Sequence, residues 1–335
     1  MLKFLAKGLL RDRSRSLFPI MIIATGVIFT VLMYSWMMGF VTMFIRENAR
    51  FDTGHVKIIT RAYNDLIDQK PYDLGLMNVN EKIGMLSSEY PEMQWQPRIY
   101  FGGLLDLPDE EGETLSQGEV IGFGVDILSD SFEKDLLNLE EALSNGNLPT
   151  KQGEILISSE VADKLGININ DKVTIIGSTI HGSMAMNNFT VCGMVRFGVQ
   201  AMDRGAVIVD ISDVRSFLDM EDSASEILGF LPEYKELPTF EIADVFNAKY
   251  NDENDEFSDI MLPLRKQGNM DFMLNSMNQR LNIFVFVFIF IMSLVLWNSG
   301  LMNGIRRYGE IGVRLAIGEN KGHIYRSLIL ESILV

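Results

Sequence analysis

The residues able to do chemistry are few and scattered. Cys192 is the single cysteine of the chain. It excludes an intrachain disulfide and a thiolate metal cluster, and it lies in the strand-like run Asn188–Val195, where a small apolar role suits a thiol better than attack does. The three histidines, His55, His181 and His323, are too far apart to form a local ligand motif. Carboxylate pairs such as Asp109/Glu110 and Asp252/Glu253 sit in polar runs that read as solvated surface. No G-x-x-x-x-G-K-[ST] loop, G-x-S-x-G elbow or H-E-x-x-H helix occurs. We therefore expect no catalytic centre, no metal and no cofactor on this chain.

The one stretch whose spacing suggests work is mechanical. Arg306-Arg307-Tyr308-Gly309-Glu310-Ile311-Gly312-Val313-Arg314-Leu315-Ala316-Ile317-Gly318 reads as a short helix after a break at Gly309. Glu310 near the N-terminus favours the helix dipole, and Gly318 stops the helix. Ile311 and Leu315, four apart, make an apolar stripe, with Arg314 projecting elsewhere. Such a knob can seat in a partner's groove and pass on force. The plainer reading is a basic connection between two helices.

The elements around it position it at a membrane. No charged residue occurs from Ser16 to Ile45 or from Leu281 to Ile305. About 20 apolar residues cross a bilayer, so both runs suffice. The first has a basic front but an apolar core too long for a signal peptide and no small-residue cleavage pattern, so it reads as an uncleaved span. Residues 1–15 hold five bases and one acid, residues 306–335 five bases and three acids, and residues 46–280 19 bases and 41 acids. By the positive-inside rule the flanks are cytoplasmic and residues 46–280 extracytoplasmic. Residues 1–15 also read as an amphipathic segment on the inner leaflet, Leu2, Leu5, Leu9 and Leu10 sharing a face. Residues 306–320 are the cytoplasmic segment. The apolar run 321–335 lacks a polar flank and reads as the start of a third span, so the sequence is expected to continue. The net charge of -16 argues against a nucleic-acid partner.

The middle segment mixes strands and helices. Gly54–Ile59, Arg98–Leu105 and Gly118–Val125 alternate as strands, and Glu81–Tyr90 suits a helix closed by Pro91. Gly153–Ser158 is a strand leading to a helix over Ser159–Leu165, capped by Ser158 or Ser159 and stopped by Gly166. Strands follow at Lys172–Ile176, Asn188–Val195 and Ala206–Val209, then a helix over Thr239–Tyr250. Gly177–Asn187 reads as a hairpin tip, with His181, Met184 and Met186 as candidate carrier contacts. Met33, Met37 and Phe40 in the first span, and Phe284, Phe288 and Met292 in the second, are candidate acyl-chain contacts, because methionine and aromatic surfaces adapt to varied chains. Gly26/Thr30 and Gly300/Gly304 have the small-x-x-x-small spacing of close helix packing.

The run Arg306–Gly318 resembles the FtsX-type permease domain of ABC transporters. Leu148-Pro149, Gly153-Glu154-Ile155, Ala162, Leu165-Gly166, Asp171 and Val173-Thr174 resemble the extracytoplasmic domain of MacB-like permeases, and Gly54-His55-Val56 is similar to the lipoprotein-releasing LolC/LolE branch. The resemblance implies an α-helical membrane protein with a large α/β extracytoplasmic domain. That domain would comprise a porter near 46–127 and 221–270 and a mostly β sabre near 128–220. It implies a pair of permeases, two copies or a copy and a paralogue, bound to a separate ABC ATPase that carries ATP and Mg. Glu310, Ile311, Arg314, Leu315 and Gly318 would couple the two. The expected function is extraction of lipoproteins from the inner membrane to a periplasmic carrier; the alternatives are MacB-like efflux and FtsX-like control of a cell-wall hydrolase.

Overall fold

The computed structural model describes residues 13–109, 111–129 and 131–334. Of the amphipathic segment expected over 1–15, residues 1–12 lie outside the described residues. The described residues form two compact units: one from 13–45 and 272–334, the other from within Arg46 to Asp271.

The first unit contains the apolar helices. Helix α1 (Arg13–Asn48) leads into the second unit, and a later helix (Met270–Arg306) leads out of it. Two 33-residue segments have the length and composition to cross a membrane: Met21–Thr53, which is most of α1 and the turn after it, and Met270–Met302 in the later helix, at mean hydropathy 1.8 and 2.3.

The second unit begins where α1 passes into a π-helical turn, Ala49–Thr53. Gly54 ends it at φ 59°, and a Cβ there would lie 2.6 Å from the Val56 carbonyl, so only glycine fits. Then follow β1 (Val56–Thr60), α2 (Arg61–Asp65), β2 (Leu76–Met77), α3 (Val79–Glu89), β3 (Gln94–Pro108) and β4 (Thr114–Val125). Next are α4 (Glu133–Leu136), α5 (Leu139–Ala142), β5 (Leu143–Gly146), β6 (Glu154–Ser158), α6 (Ser159–Leu165), β7 (Lys172–Ser178) and β8 (Met184–Val195). The unit ends with α7 (Gln200–Asp203), β9 (Ala206–Asp210), α8 (Ile211–Leu218), β10 (Ser223–Ala224), β11 (Glu226–Phe230), α9 (Glu236–Tyr250) and β12 (Asp259–Pro263). Beyond it lie α10 (Met270–Arg306), α11 (Tyr308–Ala316) and α12 (Lys321–Leu334).

Six strands close on themselves in the order β3-β4-β9-β6-β8-β7 and back to β3. Alternation along the strands fills the interior with Phe101, Leu105, Ile155, Val173, Phe189 and Val207. Gly122 makes room for the Phe101 ring, which a Cβ would meet at 2.0 Å. On the outer side, Val125, Leu156 and Ile208 pack with Leu137, just after α4, and with Leu139 and Met202 from α5 and α7. The sheet extends from the first half of β3 through β11 and β1 to β12. Asn247 of α9 pairs with the outermost strand as a backbone would, donating to the Met261 carbonyl and accepting its N–H, both at 2.8 Å. That blunts an exposed edge.

Strands from both segments expected as porter and sabre share this sheet, since β3 pairs with β7 and β4 with β9. Two expectations need correction. The tip expected over Gly177–Asn187 is only Thr179–Ser183, because strand pairing runs to Ser178↔Met184; Thr179 and Ser183 close the loop by a 2.8 Å backbone bond. The break expected at Gly309 falls at Arg307 (φ -91°, ψ 3°), and Gly309 lies within α11.

Candidate functional site

The segment expected to couple to a partner forms a helix with an open apolar surface. In α11, Glu310 and Arg314 pair across one turn at 3.1 Å. Gly318 at φ 96° ends the segment, with its N–H on the Leu315 carbonyl and that of Glu319 on the Arg314 carbonyl, each at 3.1 Å. Ile311 is half-buried and Leu315 exposed, so the expected stripe is only partly covered. Tyr308 and Ile317 are 82% and 81% exposed, and Val313 is exposed too. Two glycines, Gly309 and Gly312, sit inside this nine-residue helix at a cost of about 1 kcal/mol each. A helix so short and so weakened gains from a partner surface.

The two long helices meet through the candidate acyl-chain residues. Phe288 stacks on Phe29 with ring centroids 5.1 Å apart. Met292 reaches Gly26, where a Cβ would lie 2.0 Å from its Cε. Thr30 donates to the Gly26 carbonyl at 2.8 Å. Beside this contact is an apolar cleft of ≈ 420 Å³ whose walls include Val27, Thr30, Val31, Ile289 and Met292. Met33 and Met37 are half-buried, whereas Phe40 and Phe284 are exposed. Gly300 and Gly304 have nothing within 4 Å of a built Cβ.

The three candidate carrier contacts share one end of the β7–β8 hairpin. Met184 and Met186 are 76% and 60% exposed, two positions apart on β8 and so on one face. His181, in the loop, lies 3.6 Å from Asp219, the left-handed residue ending α8.

Sequence reading missed a buried ionic layer behind β1. Lys57 Nζ is 2.8 Å from Glu226, both side chains at 2% exposure or less. Tyr63 donates to the other Glu226 oxygen at 2.9 Å. Arg98 pairs with Glu133 at 2.7 Å, equally buried. Burial pushes Glu133 up, and Arg98 opposes it. Burial likewise pushes Arg98 down, but Glu133 and Tyr100 outweigh it and the guanidinium stays charged. The signal was faint: a lysine and a glutamate inside otherwise apolar strands. Cys192 donates to the Ile155 carbonyl at 3.3 Å, and burial pushes its thiol up to about 12, so it is not a poised nucleophile. Among the described residues no group of three or more His, Cys, Asp or Glu could hold a metal.

Two helices long and apolar enough to cross a membrane thus precede and follow an α/β domain, and a short helix with exposed apolar residues comes after them. The MacB-like periplasmic core domain matches residues 16–285, and the FtsX-like permease C-terminal domain matches residues 282–335. The chain belongs to the FtsX/MacB-like ABC permease family, whose members are inner-membrane proteins with a periplasmic domain and partner with an ABC ATPase subunit. No curated protein matches it. A solved structure with a similar chain is the periplasmic region of MacB from Actinobacillus actinomycetemcomitans, at 12% identity and TM-score 0.43, covering 70% of this chain and 97% of that one. At that score the likeness adds nothing to the family assignment.

Proposed function

We propose that this chain is the permease subunit of a lipoprotein-releasing transporter, nearest the LolC/LolE branch. It extracts lipoproteins from the outer leaflet of a bacterial inner membrane and passes them to a periplasmic carrier. It works beside a second copy or a paralogue. The chain is not itself an enzyme and binds no cofactor; ATP and Mg belong to the ATPase subunit. Both α1 and α10 span the membrane in a multi-pass protein, residues 46–280 are periplasmic and residues 306–320 cytoplasmic, in line with the charge of the flanks. ATPase closure pushes on α11 through Glu310, Ile311, Arg314 and Leu315, with Gly318 fixing its end.

The observation that carries the cargo reading is the cleft between α1 and α10. It is apolar and walled partly by a flexible methionine, Met292, which also packs on Gly26. Each methylene of an acyl chain buried there gains about 0.8 kcal/mol relative to water. Its test is photocrosslinking from Met37, Phe284 and Phe288 in the complex with the ATPase. Acylated lipoprotein is the expected adduct, lost when ATP is hydrolysed. Adducts only to phospholipid, or to a soluble peptide, in an active complex would refute lipoprotein extraction; the peptide result would point to efflux.

A further inference from the structure

The turn that follows α1 is gripped one residue after another. Arg50 donates to the Leu137 carbonyl. The Phe51 carbonyl accepts the Tyr100 hydroxyl at 3.1 Å, and the Phe51 ring meets Phe197 edge-on at 5.1 Å. Asp52 receives Lys70 Nζ at 2.6 Å and lies 3.7 Å from Lys57 Nζ. The Thr53 carbonyl accepts Gln267 Nε2 at 2.9 Å. These partners come from different places: Lys57 is on β1, Tyr100 on β3, Leu137 just after α4, Lys70 on the connection before β2, and Gln267 three residues before α10. Lys70 also lies 3.5 Å over the Tyr100 ring and 3.9 Å from Glu226, which ties the grip to the buried ionic layer.

Packing alone does not need this arrangement. Tyr100, Lys57 and Gln267 are buried, and a polar group withdrawn from water is costly unless paired. Apolar side chains would hold a turn in place at least as well. The π-helical form is itself uncommon and tends to mark functional places in helices. A short turn between a long helix and a sheet is also where a chain gives way first under load, unless it is bonded to its surroundings. Gln267 adds a further constraint. Its side chain bonds the Thr53 and Leu262 carbonyls, at 2.9 and 3.0 Å, and its own carbonyl accepts the Met270 N–H at 3.1 Å. One residue therefore links the segment entering the domain to the segment leaving it.

We propose that Asp52, Lys70, Tyr100 and Gln267 are positioning residues that clamp the exit turn of α1, so that displacement of α1 moves the sheet instead of unwinding the turn. This rests on the reading of the chain as a subunit driven by an ATPase. It adds which residues carry the stroke into the periplasmic domain.

The test uses the full chain with its ATPase in lipid nanodiscs. A fluorophore on Glu160→Cys, an exposed site on α6, in a Cys192→Ser background, reports ATP-driven change in the domain. Asp52→Asn, Tyr100→Phe and Gln267→Leu are combined; Tyr72→Phe, which removes a hydroxyl bonded to the Ser178 carbonyl at 2.6 Å, is the control. The combined variant should keep the ATPase rate within about twofold, lose the reporter change about tenfold and raise amide exchange at residues 49–54 about tenfold, as the loss of several ordinary hydrogen bonds allows. If it fails to insert, Tyr100→Phe alone carries the test, with about fivefold faster exchange expected. Reporter change equal to the control, or unaltered exchange, overturns the clamp. A wild-type complex with no ATP-driven reporter change overturns the driven-subunit reading instead, and the exchange result still judges whether the turn is clamped.

Discussion

His55 gives the periplasmic domain a calculable response to acid. Its Nδ1 accepts the Leu231 N–H at 2.9 Å, which requires a neutral ring with its proton on Nε2. The rings of Phe230 and Tyr234 lie at 5.5 and 5.3 Å. Burial lowers its pKa from 6.5 to about 4. The unfolded chain therefore takes up the proton first as pH falls. Stability is complete above pH 6.5, declines through the interval down to about 4, and loses nothing more to this residue below it. The whole interval converts to about 3 kcal/mol, and at pH 4.5 about 2.5 kcal/mol is already gone. Asp52 does not confuse the window. Burial would raise it, but Lys57 and Lys70 prevail and hold it at about 2, so it titrates at lower pH. The assay is urea unfolding of the detergent-solubilised chain from pH 7.5 to 4.5, followed by Trp95 fluorescence with Trp36 and Trp297 replaced by Phe. His55→Gln should flatten the wild-type slope between pH 6.5 and 4. Parallel profiles for the two proteins, or an NMR titration of His55 centred near 6.5, would show that the ring is not held neutral by the fold.

Two further outcomes follow from the same geometry. Glu310→Ala and Arg314→Ala each remove an exposed i,i+4 pair worth about 0.3–0.5 kcal/mol, so insertion and melting temperature should hold while ATP hydrolysis no longer drives cargo release. Normal release in both variants, measured against hydrolysis in proteoliposomes, would remove α11 from the coupling path. Lys57→Met strands Glu226 in the interior and should cost about 3–5 kcal/mol, whereas Lys57→Met with Glu226→Leu should recover much of that loss. Calorimetric melts that place the double variant below the single one would mean that the pair is not the unit that matters.

Much of the fold was legible because the governing signals are local. The two uncharged runs need only composition. The Ser158 cap, whose hydroxyl accepts the Val161 N–H at 3.2 Å, and the Gly166 stop are properties of single residues, and both lie where the sequence places them. Helix α8 has an equally local cap, in which Asp210 accepts the Ser212 N–H at 2.9 Å, and Ile211, Val214 and Leu218 make its buried face. Ring closure was not legible. It depends on Leu104↔Ile176 and Ile121↔Ala206, pairings between residues far apart in sequence that no periodicity encodes. The shortening of the hairpin tip is of the same kind, since β7 and β8 extend because each has the other to bond. Of the candidate site, the helix carrying Glu310 and Arg314 was readable from its residues. The grip on residues 50–53 was not, because its partners at 70, 100, 137 and 267 are joined to it only by the fold.

The topology shows what that grip would serve if the chain is driven as proposed. The exit turn feeds directly into β1, which lies between β11 and β12, and β11 pairs with the first half of β3. The second half of β3 belongs to the closed ring, pairing with β4 on one side and β7 on the other. A displacement delivered at β1 thus needs only two ladders to reach a strand shared by the whole domain. Closed rings resist shear, because sliding any one strand breaks hydrogen bonds on both its sides. On the proposed clamp, the bonds around the exit turn, rather than those of the ring, set how much of a displacement of α1 reaches β1. Strengthening a strand pair within the ring should change transmission little, whereas loosening a single bond at residues 51–53 should change it most.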